Sequence, residues 1–283
     1  MTETYRAKKR YGQHFLHERK FIDDILKAAQ LTGTSRVLEI GPGLGALTDP
    51  LLLCGVHLLV MEVDRDIVAR FRQRTEPNLQ VHEGDALRLD WRSILCEPPY
   101  TLISNLPYNI SSQILFRLLD ERDLFIRAVL MFQKEVADRI VARPGSRNYG
   151  ILSVLSQLYF DVRRVVAVPS GAFTPAPKVD SAVIELIPLA APRYPMEDEL
   201  FLRRVVKAAF AQRRKTLRNS LRTAGFSAEE IASAAEVVGI DLTRRGETLA
   251  LNEFTSLADT LLAQGAGRPD QEDKPTKKGS FYE

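Results

Sequence analysis

The sequence predicts an α/β fold, in which a mostly parallel sheet with helices on both faces is followed by a small all-α domain. Three observations carry this. From about residue 34 to 189, short β-rich runs alternate with amphipathic segments. Runs such as "VHLLVM" are continuously apolar, as strands buried on both faces are. Residues 198 to 264 then show only helical patterns.

The elements follow in order. "SRVLEIG" reads as a strand, and "LGALTDPLLLCG" as a short helix closed by Gly55. "VHLLVMEVD" is a strand and "RDIVARFRQRT" a helix with a basic outer face. "NLQVHEGD", "YTLISNLP" and "RAVLMFQ" are further strands, and "NYGILSVLSQLYF" is a helix. "DVRRVVAVPSGAFTPAPKVDSAVIELIPL" reads as two strands joined by a Pro-rich loop. "LAAPRYPMEDE" has linker composition. Beyond it, "ELFLRRVVKAAFAQRRKTLRNSL", "SAEEIASAAEVVG" and "LNEFTSLADTLLAQ" are helical, with cap and turn residues between them. This divides the chain into a first domain over 1–190, a helical domain over 191–265 and a disordered tail over 266–283.

Composition narrows the function classes. Apolar residues make up 45% and charged residues 27%, ordinary for a chain with a good core. The net charge of +3 permits a nucleic-acid partner without requiring one, so the distribution of charge matters more than the total. Cys54 and Cys96 form no CxxC pair, and Cys54 in "LLLCG" is expected to be a buried, reduced thiol. The four histidines lack metal-ligand spacing, so neither a structural metal nor a disulfide is expected. The opening residues lack an apolar h-region, so no secretory signal is expected, and no apolar run is long enough to span a bilayer. A cytoplasmic protein with no membrane partner is the expectation.

"VLEIGPGLGALT" is a strand, a glycine-rich turn and a helix start, in which Gly41, Gly43 and Gly45 let backbone approach a ligand. The same turn could merely ease helix–sheet packing, and its spacing also fits a relaxed dinucleotide pattern. Glu62 ends the second strand about 20 residues on, where a carboxylate can accept from both hydroxyls of a ribose. That serves NAD or S-adenosylmethionine equally. Asp85, in "EGDAL", ends the third strand, where it can accept from an adenine amine. "NLPY" ends the fourth. A dinucleotide enzyme has no standing need for either, and ligands bind at the carboxyl ends of such strands.

"NLPY" suits the exocyclic amine of adenine, a poor nucleophile because its lone pair is delocalised into the ring. Acceptors for its N–H groups favour a more tetrahedral nitrogen. The Asn105 side-chain carbonyl and the Leu106 backbone carbonyl can supply two, Pro107 fixes the turn that aims them, and the Tyr108 ring can stack on the base. Catalysis by such a site is positioning and electrostatics, with nitrogen placed in line with a sulfonium methyl.

In order, "RYGQHFL", "LEIGPGLGALT", "EVD", "GDAL", "NLPYNISS", "FTPAPKVDSAV" and "AAFAQRRKTLRNSL" resemble the ribosomal RNA adenine N6,N6-dimethyltransferases, and most of all their bacterial small-subunit branch. The resemblance covers roughly residues 8 to 262. It implies a Rossmann-like class I methyltransferase sheet, S-adenosylmethionine as cofactor, and cofactor contacts at His14, Leu16, Gly41, Glu62, Asp85 and Asn105. Gly43, read from the glycine turn, joins that set. The target base would lie against Tyr108, with Phe173 of "FTPAP" as a second ring. The implied reaction is dimethylation of two adjacent adenosines in the 3′-terminal hairpin loop of 16S rRNA. The implied partner is an immature small ribosomal subunit late in assembly, met by a monomer that has no use for DNA. Two departures stand out. "GQHFL" replaces the usual GQNFL, so the protonation of His14 would matter. "NISS" replaces the frequent NIST and preserves the hydroxyl.

Residues 203 to 222 hold eight basic and no acidic residues, with acidic stretches on either side. Arg213, Arg214, Lys215 and Arg218 are therefore expected on a basic helix that binds RNA phosphates. "RAKKRYGQ" adds a second basic arm near the cofactor mouth. Competing readings are a large-subunit (23S) adenine N6-methyltransferase of the macrolide-resistance type, and an assembly factor acting mainly by binding. A DNA adenine methyltransferase would usually carry Pro in place of Leu106. A dehydrogenase lacks its catalytic constellation here.

Overall fold

The computed structural model describes residues 7, 8 and 11–266, which form two compact units. The first comprises the described residues up to Asp138 together with Asp161–Pro188. It opens with β1 (Phe15–Leu16) and α1 (Arg19–Ala29), then alternates β2 (Arg36–Ile40), α2 (Thr48–Leu53), β3 (His57–Glu62), α3 (Arg65–Arg72) and β4 (Leu79–Glu83). The short α4 (Trp91–Ile94) precedes β5 (Tyr100–Asn105), α5 (Ser111–Asp120), β6 (Phe125–Gln133) and α6 (Lys134–Ile140). Later in the chain, β7 (Phe160–Val168), β8 (Phe173–Thr174) and β9 (Ser181–Pro188) complete it.

Seven strands form one sheet in the order β4-β3-β2-β5-β6-β9-β7. Pairing is parallel from β4 through β6, and β9 runs antiparallel to β6. The expected α/β class is therefore observed, with a mostly parallel sheet flanked by helices. Every residue from Val37 to Ile40 and from Leu58 to Glu62 is buried, which requires cover on both faces and accounts for the unbroken apolar runs. The order reverses at β2, whose neighbours are β3 on one side and β5 on the other. A crevice opens at such a switch point, because successive connections leave toward opposite faces. Helix starts follow local chemistry: the Asp64 carboxylate accepts from Asp66 N–H and caps α3.

Cys54 departs from expectation. It caps a six-residue helix whose Leu51 side faces the core, so that Leu53 and Cys54 emerge on the solvent side, and the thiol is exposed. A helix that short buries only one stripe, and the apolar run outlasts it.

The second unit comprises Arg139–Phe160 and the described residues from Leu189 onward. It contains α7 (Ile151–Tyr159), α8 (Glu199–Phe210), α9 (Leu217–Thr223), α10 (Ala228–Val238) and α11 (Leu251–Ala263). The helical C-terminal region is thus present. Arg139–Phe160, which the sequence reading places within 1–190, groups with it because α7 packs on α8 and α11. α10 carries a full capping box, with Ser227 and Glu230 exchanging hydrogen bonds, and ends on Gly239 at φ +71°. The expected single helix through "ELFLRRVVKAAFAQRRKTLRNSL" is broken over 211–216. There Thr216 turns extended, and its hydroxyl accepts from Asn219 N–H to start α9. Ala266 is buried, and the rest of the expected tail, 267–283, lies outside the described residues. No helix of the described residues is long and apolar enough to cross a membrane.

Candidate active site

A cavity opens at the switch point. The turns after β2, β3, β4 and β5 line it, and residues 11–16 close it from the side. His14, Leu16, Gly41, Gly43, Glu62, Asp85, Asn105, Leu106, Pro107 and Tyr108 all border it, so four strand ends and the N-terminal motif converge there. Phe173 does not.

The glycine turn has to be glycine for two reasons. Gly41 and Gly43 sit at φ +67° and +58°, in the left-handed region. A Cβ on Gly43 would also stand 3.0 Å from the Phe15 ring, so the turn and the N-terminal motif pack too closely for any side chain. Beneath the turn, Glu39 is buried on β2 and accepts from the Thr48 hydroxyl at 2.7 Å. Burial pushes its carboxyl up to about 8, against the opposing pull of that hydrogen bond, so it is predominantly neutral at pH 7.

Glu62 is held rigidly. Its Oε1 accepts from Val63 N–H at 2.8 Å and Asp64 N–H at 2.7 Å. Burial raises its pKa, and the Asp64, Val63 and Gly43 N–H groups partly offset that. A carboxylate fixed in this way, with acceptor capacity left over, suits a vicinal diol. Asp85 accepts from Leu87 N–H at 2.9 Å and is half-exposed at the cavity edge. Arg117 on α5 donates to the carbonyls of Leu87, at 2.7 Å, and of Leu89, bracing the same turn.

Asn105 Nδ2 donates to the His14 carbonyl at 2.9 Å. A carbonyl can only accept, so the amide orientation is fixed and Oδ1 is its acceptor end. The Tyr108 hydroxyl shares a 2.6 Å hydrogen bond with Ser181 Oγ, and burial raises its pKa, so the ring carries a neutral phenol. The expectation for Phe173 changes. It is 2% exposed and lies in the hydrophobic core with Leu16, its partner across the antiparallel β1–β8 pair. The ring is packed in that core and is not among the residues that border the cavity.

The basic residues belong to the second unit. They do not share one helix: Arg213, Arg214 and Lys215 lie on the 211–216 turn, and Arg218 on α9. Arg213 donates to the carbonyls of Arg147 at 2.6 Å and Tyr149 at 3.2 Å, so it ties two loops together. Arg214, Lys215 and Arg218 are exposed and have no carboxylate partner among the described residues. In the N-terminal arm, Lys8 Nζ pairs with Asp64 at 2.6 Å and Asp66 at 2.5 Å. Arg6, Lys9 and Arg10 lie outside the described residues.

Sequence reasoning missed Glu39, Ser181 and the Lys8–Asp64 clip. Glu39 carried a signal, an acid in the middle of an apolar strand. Ser181 carried none, because its partner is 73 residues away.

The comparisons with known proteins point to one family. The family profile described as ribosomal RNA adenine dimethylase matches residues 4–261. The ribosomal RNA small subunit methyltransferase A of Syntrophotalea carbinolica is 59% identical over 91% of this chain and 97% of its own length. Its counterpart from Geobacter sulfurreducens is 49% identical over 92% and 97%. Among solved structures, a dimethyladenosine transferase from Plasmodium falciparum aligns with a TM-score of 0.76 at 29% identity, covering 89% of this chain and 99% of that one. The 23S rRNA methyltransferase ErmE aligns at 0.66 and 25% identity, over 87% and 99%. Matches of this extent, on a sheet whose four strand ends meet in one cavity, place the chain in the ribosomal RNA adenine dimethylase family, as an S-adenosylmethionine-dependent rRNA adenine dimethyltransferase.

Proposed function

We infer that this enzyme dimethylates the N6 amines of two adjacent adenosines in the 3′-terminal hairpin loop of 16S rRNA. It does so on an immature small subunit, late in assembly and in the cytoplasm. The observation that carries the chemistry is the orientation of Asn105. With Nδ2 committed to the His14 carbonyl, the side chain offers the cavity an acceptor. An exocyclic amine meets that acceptor with an N–H, whereas the carbonyl of a guanine or uracil would meet it with a lone pair. Small-subunit RNA is supported by the names of three bacterial relatives, each a small-subunit methyltransferase. The likeness to a 23S enzyme keeps large-subunit RNA as the alternative to be tested.

The cavity residues fit S-adenosylmethionine. Glu62 would take the ribose hydroxyls, Asp85 the adenine amine, and the backbone of the Gly41–Gly43 turn the methionine portion. Leu16 would close the side. When bound, the cofactor supplies an electrophilic methyl on sulfur. The residues of this chain do the rest by placement. Asn105 Oδ1 and the Leu106 carbonyl accept the two N–H groups of the target amine, draw its lone pair out of the ring and aim it at the methyl. Tyr108 holds the flipped base by its face. Arg214, Lys215 and Arg218 bind RNA phosphates and set orientation, not base choice.

The test offers labelled S-adenosylmethionine with immature small subunits, large-subunit RNA and DNA, and then maps the methylated base. Label in adjacent small-subunit adenosines is expected. Label confined to large-subunit RNA or DNA would sink the proposal. Asn105→Ala should lower kcat by about 10²–10³-fold, the scale of one lost transition-state hydrogen-bond partner. It also separates the roles, since an assembly factor acting mainly by binding would support normal subunit maturation without methyl transfer.

A further inference from the structure

Residue 14 is the His of "GQHFL", and it borders the cavity. The imidazole lies against the Tyr108 ring, with centroids 5.4 Å apart and planes inclined by 24°. His14 Nδ1 stands 2.7 Å from the Pro175 carbonyl oxygen. That oxygen only accepts, so Nδ1 carries a hydrogen and the bond fixes the rotation of the ring. At its far end, Tyr108 is held through its hydroxyl by the buried Ser181. Tyr108 is thus fixed at the tip by Ser181 and along one face by His14. The main chain of His14 meanwhile holds the amide of Asn105.

We propose that His14 is a positioning residue for the methyl acceptor, acting through Tyr108. The proposal rests on the reading that Tyr108 stacks on the target adenine. A ring resting against Tyr108 keeps it at the angle at which its other face meets the base, and offset ring pairs of this spacing are mutually attractive. Asn at this position could still donate to the Pro175 carbonyl but would offer no ring. Phe would offer the ring without the donor.

Four full-length proteins test this: wild type, His14→Ala, His14→Asn and His14→Phe. Steady-state methylation of immature small subunits gives kcat and KM for the acceptor, and titration calorimetry gives Kd for S-adenosylmethionine. His14→Ala and His14→Asn are expected to lose about 2- to 13-fold in kcat/KM for the acceptor, the weight of one ring pair, and His14→Phe to restore it. Cofactor Kd should stay within about twofold throughout, well inside the effect of one lost hydrogen bond. In a Tyr108→Ala background, His14→Ala should have no further effect, since its route is gone. Phe behaving no better than Ala would overturn the proposal, and so would variants that weaken cofactor binding while acceptor kinetics stand. Tyr108→Ala itself distinguishes the two levels. If it leaves methyl transfer intact, the base-stacking reading falls, and the His14 proposal with it. If it abolishes transfer while the His14 variants match wild type, only the role of His14 falls.

Discussion

Glu39 gives a direct test of the electrostatics beneath the glycine turn. Its carboxyl is 2% exposed, and burial raises it from 4.5 to about 8. The folded protein therefore keeps a proton that the unfolded chain releases above pH 4.5. The stabilisation linked to that proton is complete below the unfolded pKa and is lost as pH rises through the folded one. The full shift corresponds to about 5 kcal/mol, of which roughly 3 kcal/mol falls between pH 5 and pH 8. Glu39→Gln keeps an oxygen for the Thr48 hydroxyl and removes the titration. Urea unfolding can be followed by Trp91, the only tryptophan and a fully buried one in the same unit. Wild type should lose about 3 kcal/mol more than Glu39→Gln between those two pH values. Glu62, also raised by burial, titrates in both proteins and drops out of the difference. Equal pH slopes would mean that Glu39 is ionised in the fold, and the argument from burial would be wrong.

Glu62→Gln should weaken S-adenosylmethionine binding by about 10- to 100-fold, the weight of a hydrogen bond to a charged acceptor, read by calorimetry; a change under about twofold would reject the diol assignment. Replacing Arg214 and Lys215 by Ala should reduce the salt dependence of subunit binding by about one unit of slope for each lost phosphate contact, with cofactor Kd unchanged. An unaltered slope would show that the exposed turn does not touch RNA.

The sheet and the four strand ends that meet in the cavity were legible because each rests on local chemistry: continuous apolar runs, left-handed glycines, and an acid or Asn where a strand stops. What stayed illegible depends on partners distant in sequence. Arg213 reads as a phosphate ligand, and nothing local announces the carbonyls of Arg147 and Tyr149 to which it donates. Phe173 reads as a platform in a stiff Pro-rich loop, and only the fold packs it into the core with Leu16. Periodicity carried the basic helix straight through residues 211–216, because Thr216 is a tolerable helix residue as well as a good cap. The grouping of Arg139–Phe160 with the C-terminal helices left no compositional mark at all.

The adjacency of β2 and β5 has a consequence for how the site tolerates divergence. The Gly41 turn and the Asn105 turn hang from neighbouring strands, so their separation starts from one interstrand spacing, about 4.8 Å. Backbone hydrogen bonds maintain that spacing, and they are blind to side-chain identity. Substitutions can accumulate in the helices and on the surface without changing the distance between donor and acceptor walls. Selection then needs to hold only the few turn residues that decorate the two walls, which is how a short string of motifs can identify a reaction across otherwise unlike chains.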